Sequence, residues 1–359
     1  MSVIRTLGGV LWSRISGRSV PLAVTMALTY RCNLRCGYCQ IWKEAGQELS
    51  TTQALAAIDE LYEAGMGRLG LTGGEPLLRE DIATIVEHAR GLGLFTTIFT
   101  NGTLVEQHLH TLERVDAVLL SLDGPREAHD SLRGRGSFDA ALCALELLRR
   151  HRVPVWTNTV LTAHNIDQVG FVLDTARRFG ALAAFQPVFE HSYSVKGEKV
   201  EQLRAERQRY AEVVRHLLQQ KRRGAPLLNS VPFFEQILDP RREQHARRGA
   251  SPGVRAERAS QTQSPRRCLA GRSYGAVSPE GRVAPCPILL QAPGLPDGRL
   301  AGYAEAFRRS ARHIRCSGCY CIATVESDLL FSLDARALLN TVGHLVRRRG
   351  HATTGEQPR

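Results

Sequence analysis

Thr29-Tyr30-Arg31-Cys32-Asn33-Leu34-Arg35-Cys36-Gly37-Tyr38-Cys39-Gln40 places three cysteines within eight residues. The run before it, residues 21–29, is apolar and β-branched and reads as a strand. A loop after the first strand of a βα series lies at the C-terminal mouth of the sheet, where such folds carry their chemistry. Three thiolates there can hold three irons of a [4Fe–4S] cube and leave the fourth iron open to a ligand. Zinc is the competing occupant, but a structural zinc site wants a fourth Cys or His, and the adjoining residues offer none.

Outward from this loop, strands alternate with helices. Further strands are expected at 68–72, 95–100, 117–121, 153–161 and 183–188. Helical periodicity fills 51–64, opened by a Ser50/Thr51 cap, then 79–92 ending at Gly93, 137–151, and 166–179 ending at Gly180. Six βα units in series imply a parallel sheet with helices outside it, and six are too few to close an eight-unit barrel. The expected fold is α/β: a partial (β/α)6 open barrel over residues 21–238, with a small cysteine-rich domain at 268–347. A long charged helix is expected at 199–223. Residues 239–267, rich in Arg, Gly, Ser, Gln and Pro, read as a basic flexible linker. A final helix is expected at 326–347, followed by a disordered tail, 348–359.

Residues 1–20 contain an amphipathic helix in which Val3, Ile4, Leu7, Val10, Leu11, Trp12 and Ile15 recur at helical spacing, with Arg on the other side. Such a helix suits peripheral contact with a membrane. Packing against the barrel is the preferred reading, because the apolar stripe is short.

With 359 residues and 43% hydrophobic side chains the chain can build one large core and a smaller domain. The formal charge of +12 permits anionic partners. With 6% aromatics and no basic stripe alternating with them, a nucleic-acid partner is not expected. Eight of the nine cysteines cluster at 32–39 and 268–321, and no export signal or membrane-spanning run accompanies them. That combination reads as a reduced, cytoplasmic protein binding metal through thiolates. Cys143, alone in an apolar helix, reads as a core residue.

Cys32-x3-Cys36-x-Tyr38-Cys39 resembles the signature of the radical S-adenosylmethionine (SAM) superfamily. The resemblance implies that Cys32, Cys36 and Cys39 hold a [4Fe–4S] cluster, that SAM chelates the open iron, and that Tyr38 lies near the adenine. It also implies reductive cleavage of SAM to a 5′-deoxyadenosyl radical that abstracts hydrogen from an organic substrate. Gly73-Gly74-Glu75-Pro76, after the second strand, resembles the segment that holds the SAM amino group. Its two glycines allow close approach of backbone to a ligand, and Glu75 adds an acceptor for a cation. Asn101 ends the third strand. Ser121-Leu122-Asp123-Gly124 resembles the Ser-x-Asp segment that touches SAM. Arg133, in a stretch similar to the SPASM branch, offers a planar fork to the SAM carboxylate, against the plainer reading of a surface Arg. Asn158 is the candidate ribose contact.

The second cysteine set, Cys268-x12-Gly281-x4-Cys286 followed by Cys316-x2-Cys319-x-Cys321, resembles the opening of SPASM and twitch domains. It has five cysteines where a full SPASM domain has seven. The resemblance is therefore to the branch with a core like that of molybdenum-cofactor cyclases and PQQ maturases, carrying a shortened, twitch-like domain. It implies one auxiliary Fe–S cluster of the [4Fe–4S] type, held by Cys268, Cys286, Cys316 and Cys319, with Cys321 a spare or the fourth ligand in a neighbour's place. A zinc knuckle is the alternative use of the same thiolates. An auxiliary cluster would accept an electron from the substrate or position it. An oxidation also needs a base, for which Glu190, His191 and Tyr193 after the sixth strand are candidates. The partners implied are a small-molecule substrate and an external one-electron reductant of the flavodoxin or ferredoxin type. A peptide or protein maturase is the first alternative and a non-catalytic metal-cluster scaffold the second.

Overall fold

Alternation of burial along two strands shows how the sheet is used: Phe95–Thr100 and Val155–Leu161 bury every second residue against the helices and turn the others inward. The computed structural model describes residues 2–189, 193–195, 198–239, 268–313, 319 and 321–353, with side chains between 5 and 344. Glu190, His191, Cys316 and the expected linker apart from Asp239 lie outside the described residues.

In chain order the first half comprises α1 (Ser2–Ser16), β1 (Ala23–Ala27), α2 (Thr51–Glu63), β2 (Arg68–Thr72), α3 (Ile82–Gly91), β3 (Phe95–Thr100), α4 (Leu109–Leu112), β4 (Ala117–Ser121), α5 (Arg126–Arg133) and α6 (Ser137–Arg150). There follow β5 (Val155–Leu161), α7 (Val169–Phe179), β6 (Leu182–Pro187), α8 (Glu198–Leu203), α9 (Arg207–Arg222) and α10 (Val231–Ile237). The C-terminal part adds β7 (Tyr274–Val277), β8 (Val283–Ala284), α11 (Gly298–Ala301), α12 (Tyr303–Ser310), α13 (Ile322–Phe331) and α14 (Ala335–Thr353). Ser50 caps α2 through a capping box with Gln53, and Gly180 ends α7 in a left-handed conformation, φ 66°.

All six expected strands form, in an open parallel sheet ordered β6-β5-β4-β3-β2-β1-β7-β8. The last two strands come from the cysteine-rich region and were expected in a separate domain. Instead β7 pairs in parallel with β1, from Ala23 with Tyr274 to Met26 with Val277, and β8 turns back antiparallel to it. The reason is the free edge of β1, whose backbone groups need partners in an open barrel. The close fit comes from Gly275, where a Cβ would lie 2.8 Å from the Phe307 ring. The β6 edge is covered differently: Asn229 accepts the Phe185 amide and donates to the Phe185 carbonyl, each at 2.9 Å.

Other boundaries also move. The helix expected from residue 79 starts at Ile82, because Arg79 is extended and buried. It donates to the Leu28 and Leu49 carbonyls at 3.0 Å and grips Asp81. The long helix of 199–223 is two, α8 and α9, broken before the extended Glu206. The final helix is also two, broken at Leu333 (φ 60°), with Asp334 accepting the Arg336 and Ala337 amides. Helical backbone then continues to Thr353, into the stretch 348–359 expected as a tail. Cys143 is exposed, not core.

Glu326 on α13 accepts the amide of Ser230, the cap of α10, at 2.7 Å and so ties the C-terminal helices to the barrel. Burial pushes its carboxyl from 4.5 up to about 7. A raised value means that this contribution to stability is whole below pH 4.5 and is lost as the pH rises through about 7. Glu326→Gln keeps the acceptor without the charge. It is expected to abolish about 2–3 kcal/mol of the loss in stability between about pH 5 and 8, read from urea midpoints against wild type.

Candidate active site

The cysteine loop is stitched to its neighbours mostly by backbone. The Gly74 amide donates to the Thr29 carbonyl (2.8 Å), and the Glu75 amide to the Arg31 carbonyl (2.9 Å). A Cβ on Gly74 would lie 2.1 Å from the Arg31 oxygen, and one on Gly73 (φ 138°) 2.5 Å from the Thr29 oxygen. Glycine at both positions is therefore what lets the two loops touch. On the far side, the Gly37 amide donates to Leu132, the Gln40 amide to Tyr193, and the Val195 amide to Tyr38. Asn101, at the end of β3, donates to the side chain of Asn33 within the loop (2.8 Å). Glu48 accepts from the Tyr30 amide at 3.0 Å and from the Thr29 hydroxyl.

Glu75 and Asp123 face inward. The Glu75 carboxylate accepts the Leu77 amide (3.2 Å) and the Asn101 amide (2.8 Å), and Pro76 opens a short 3-10 turn behind it. Burial pushes Glu75 up to about 7. Asp123 is wholly buried; it accepts from the Tyr38 hydroxyl (2.9 Å), Arg133 Nε (2.6 Å) and the Val160 amide (2.9 Å). Arg133 is thus no surface residue. Its guanidinium lies 4.0 Å from Cys36 Sγ and over the Tyr38 ring at 5.5 Å. Burial works against its charge, and Asp123, Tyr38 and Cys36 more than offset this and raise it. Cys36, Tyr38, Asp123 and Arg133 form one buried electrostatic unit.

Burial also raises the thiols of Cys32, Cys36 and Cys39, the last to about 11. They hold their protons until a metal displaces them, so loading such a site releases protons. Among the described residues no three His, Cys, Asp or Glu side chains converge on a single-ion site. A soft three-thiol donor set at the end of a strand matches an Fe–S cube with one open iron.

Beside this loop the inner face of the sheet is concave. Gly70 leaves room between Thr25, Thr97 and Phe99. Phe95 and Trp156 stack at 6.3 Å, and Arg68 lies 5.2 Å over Phe95, near the start of their strands. Further towards the mouth, Ser121 pairs in register with Asn158, and Val160 with Gln186. Strand alternation puts Ser121, Asn158 and Gln186 on this inner face. Asn158 Oδ1 and Gln186 Oε1 are buried without a hydrogen-bond partner. Two orphaned acceptors in a buried hollow suit the hydroxyls of a bound ligand.

Tyr193, one of the acid–base candidates, is placed against the cysteine loop. Its ring packs edge-on to Tyr30 at 6.0 Å, its carbonyl holds the cysteine loop, and burial pushes its phenol far above the ordinary range. Arg79, Glu48 and Gln186 were not assigned roles from sequence. Arg79 had been absorbed into a helix, Glu48 stands in no recognisable spacing, and Gln186 was noted only as the end of its strand.

Part of the second cysteine set is brought together, Cys316 lying outside the described residues. Cys319 is in electrostatic reach of Cys286 and Cys321, and the Tyr274 hydroxyl in reach of Cys268 (3.5 Å) and Cys319. Asp328 accepts from that hydroxyl (3.0 Å) and from the Leu269 amide (2.8 Å). Cys268 and Cys319, more than fifty residues apart in sequence, thus lie near one tyrosine, with Cys286 and Cys321 near Cys319.

Residues 26–176 match the family model described as the radical SAM superfamily. Over that stretch the chain is similar to a superfamily whose enzymes bind SAM together with a [4Fe–4S] cluster. Among curated proteins it is similar to the AdoMet-dependent heme synthase of Methanosarcina barkeri (strain Fusaro / DSM 804), 28% identical over 285 residues, covering 77% of this chain and 79% of that one. Among solved structures it is similar to Streptococcus suis SuiB bound to precursor peptide SuiA (TM-score 0.64, 16% identity, 88% of this chain and 75% of that chain). Against SuiB bound to S-adenosylmethionine the TM-score is 0.58 at 17% identity, over 80% of this chain and 65% of that one, so this chain spans just under two thirds of that structure's length. It is also similar to anSMEcpe with bound AdoMet and Kp18Cys peptide (TM-score 0.57, 17% identity, 89% and 99% coverage). At these identities the structural likeness establishes the fold, that of the radical SAM partial barrel.

Proposed function

We propose that Cys32, Cys36 and Cys39 hold the SAM-binding [4Fe–4S] cluster, and that Cys268, Cys286, Cys319 and either Cys316 or Cys321 hold one auxiliary Fe–S cluster in a twitch-like C-terminal domain. When bound, the first cluster with SAM supplies a 5′-deoxyadenosyl radical for hydrogen abstraction. The chain's residues do the rest. Gly73 and Gly74 bring backbone against the cysteine loop, while Glu75 and Asn101 lock that loop in shape. Asp123 fixes Tyr38 and Arg133, and Arg133 leaves positive charge beside Cys36. Ser121, Asn158 and Gln186 offer polar groups to the ligand, and the Phe95–Trp156 stack floors the hollow and keeps water out.

The observation that carries the reading is the union of three thiols at the sheet's mouth with the orphaned Asn158 and Gln186 oxygens in the hollow beside them. The substrate we propose is a small organic molecule, oxidised or rearranged with the auxiliary cluster accepting an electron or positioning it, in a reducing, cytoplasmic setting with an external one-electron donor. Similarity to a heme synthase over three quarters of both chains supports a small molecule. A peptide is the second reading, favoured by SuiB and anSMEcpe, which hold peptides on the same fold.

Anaerobic reconstitution with iron and sulfide, then reduction with SAM and quantitation of 5′-deoxyadenosine, tests this. Wild type is expected to bind about eight irons and to cleave SAM. Cys36→Ala should lose about half of the iron and all cleavage, and Cys286→Ala about half of the iron while keeping cleavage. Zinc retained in place of iron under these conditions would overturn the proposal.

A further inference from the structure

Helix α1 sits on the protein the wrong way out. Its anchoring face is small and polar. Arg5 lies over the Tyr62 ring (3.8 Å) and donates to Met66 (3.1 Å), Gly9 abuts Val20 and Leu22, and Val10 is buried. Ser13 is buried and donates to Arg18, and Arg14 donates to the Phe331 carbonyl. The apolar face points to solvent: Leu7 is 46% exposed, Leu11 56%, Trp12 57% and Ile15 82%. Leu7, Leu11 and Ile15 recur every four residues and form one line, with Trp12 at its rim. Sequence reading had put this stripe against the barrel; the structure puts the opposite face there. A contiguous apolar face held outward by specific contacts marks an interaction surface.

Its charge setting selects the occupant. The first acidic residue of the chain is Glu44. Arg14, Arg18 and Arg272 have no carboxylate partner among the described residues, and a cavity of ≈ 500 Å³ beside α1 is lined by Arg14, Arg272 and three serines together with the apolar Val10, Leu269 and Phe331. Apolar side chains, an interfacial Trp and unpaired Arg at one surface match the layered chemistry of a bilayer: acyl chains, then carbonyl level, then phosphate. A protein partner would need acidic groups to answer the same Arg. No described helix is long and apolar enough to cross a membrane.

We infer that α1 docks this protein on the surface of anionic bilayers, with Leu7, Leu11, Trp12 and Ile15 inserted at the acyl boundary and the Arg14/Arg272 cavity receiving a lipid phosphate. The inference stands independently of the cluster assignments, since no residue in it belongs to the SAM site. Flotation of the purified full chain with phosphatidylcholine vesicles, with and without phosphatidylglycerol, tests it. The chain is expected to float with the anionic vesicles, to do so less as salt rises, and to show a blue-shifted tryptophan emission that Trp12→Phe removes. Leu7→Ser/Leu11→Ser/Ile15→Ser should lower vesicle binding about tenfold or more with SAM cleavage unchanged, because the altered side chains are largely exposed and none belongs to the SAM site. Equal flotation of this variant, or no flotation of wild type, would overturn the inference. So would a wild-type dimer that the triple variant dissolves without any binding to vesicles.

Discussion

Arg133→Ala is expected to cost the protein about 3–5 kcal/mol of stability and nearly all SAM cleavage. The substitution leaves Asp123 wholly buried, still facing Tyr38, with its charge partner gone. A lone buried carboxylate either takes up a proton or drags water into the core, and both loosen the packing against Cys36 and Tyr38. Lysine cannot substitute, because the contact uses Nε of a planar fork while the rest of the guanidinium spans Tyr38 and Cys36. Urea denaturation reads the stability and 5′-deoxyadenosine yield reads the function. The two roles separate in a double variant, Asp123→Leu/Arg133→Met. Apolar replacement of a buried pair is commonly neutral or stabilising, so stability should return in part, the Tyr38 hydroxyl and Val160 amide losing their acceptor, while SAM cleavage stays lost. Recovery of cleavage in that variant would mean that the pair serves the fold alone.

Gly74→Ala is the second large effect. The added methyl would meet Arg31 O at 2.1 Å, Arg31 C at 2.7 Å and Tyr30 O at 2.9 Å, all backbone and all just ahead of Cys32. None of these atoms can rotate away, so the Gly73–Pro76 turn and the cysteine loop must separate. The hydrogen bonds from the Gly74 and Glu75 amides stretch with them. Overpacking of this kind costs about 1–3 kcal/mol. A shift of about 1 Å between positioned groups lowers a reaction about a hundredfold. SAM affinity, measured by calorimetry on the reconstituted protein, should fall together with cleavage. Gly170→Ala is the matched control: it lies inside α7 with nothing within 4 Å, and it should stabilise by up to about 1 kcal/mol without touching activity. Wild-type SAM binding by Gly74→Ala would remove the close-approach argument.

The legible part of the site was the part written locally. Cys32, Cys36 and Cys39 share one loop, and Gly73–Pro76 follows a strand whose end is visible from its composition. Both are short-range patterns, and the hydrogen bonds that join them run between backbone atoms at chain positions set by the βα order. What Asp123 and Arg133 do was not legible. A Ser-x-Asp segment and an Arg ten residues on look the same whether they face ligand, solvent or each other. Burial alone distinguishes those cases, and burial depends on how α5 folds over the end of β4. Arg79 was hidden for a related reason. Its neighbours have helical periodicity, and only the carbonyls of Leu28 and Leu49, distant in sequence, pull it out of the helix.

The sequence by itself determined six βα units, the open parallel sheet they form, the thiol loop at its mouth and the presence of a second thiol set. These follow from side-chain period, turn residues and cysteine spacing, all of which act over a few residues. The tertiary structure decided that the region of the second thiol set adds two strands to the same sheet, because the β1 edge needed a partner and Gly275 lets Tyr274–Val277 lie close under Phe307. It also decided which face of α1 is buried. Periodicity reports that a helix has two faces, but the contacts of Arg5, Gly9 and Ser13 with the body choose between them. Here they outweigh the apolar stripe and leave it facing outward.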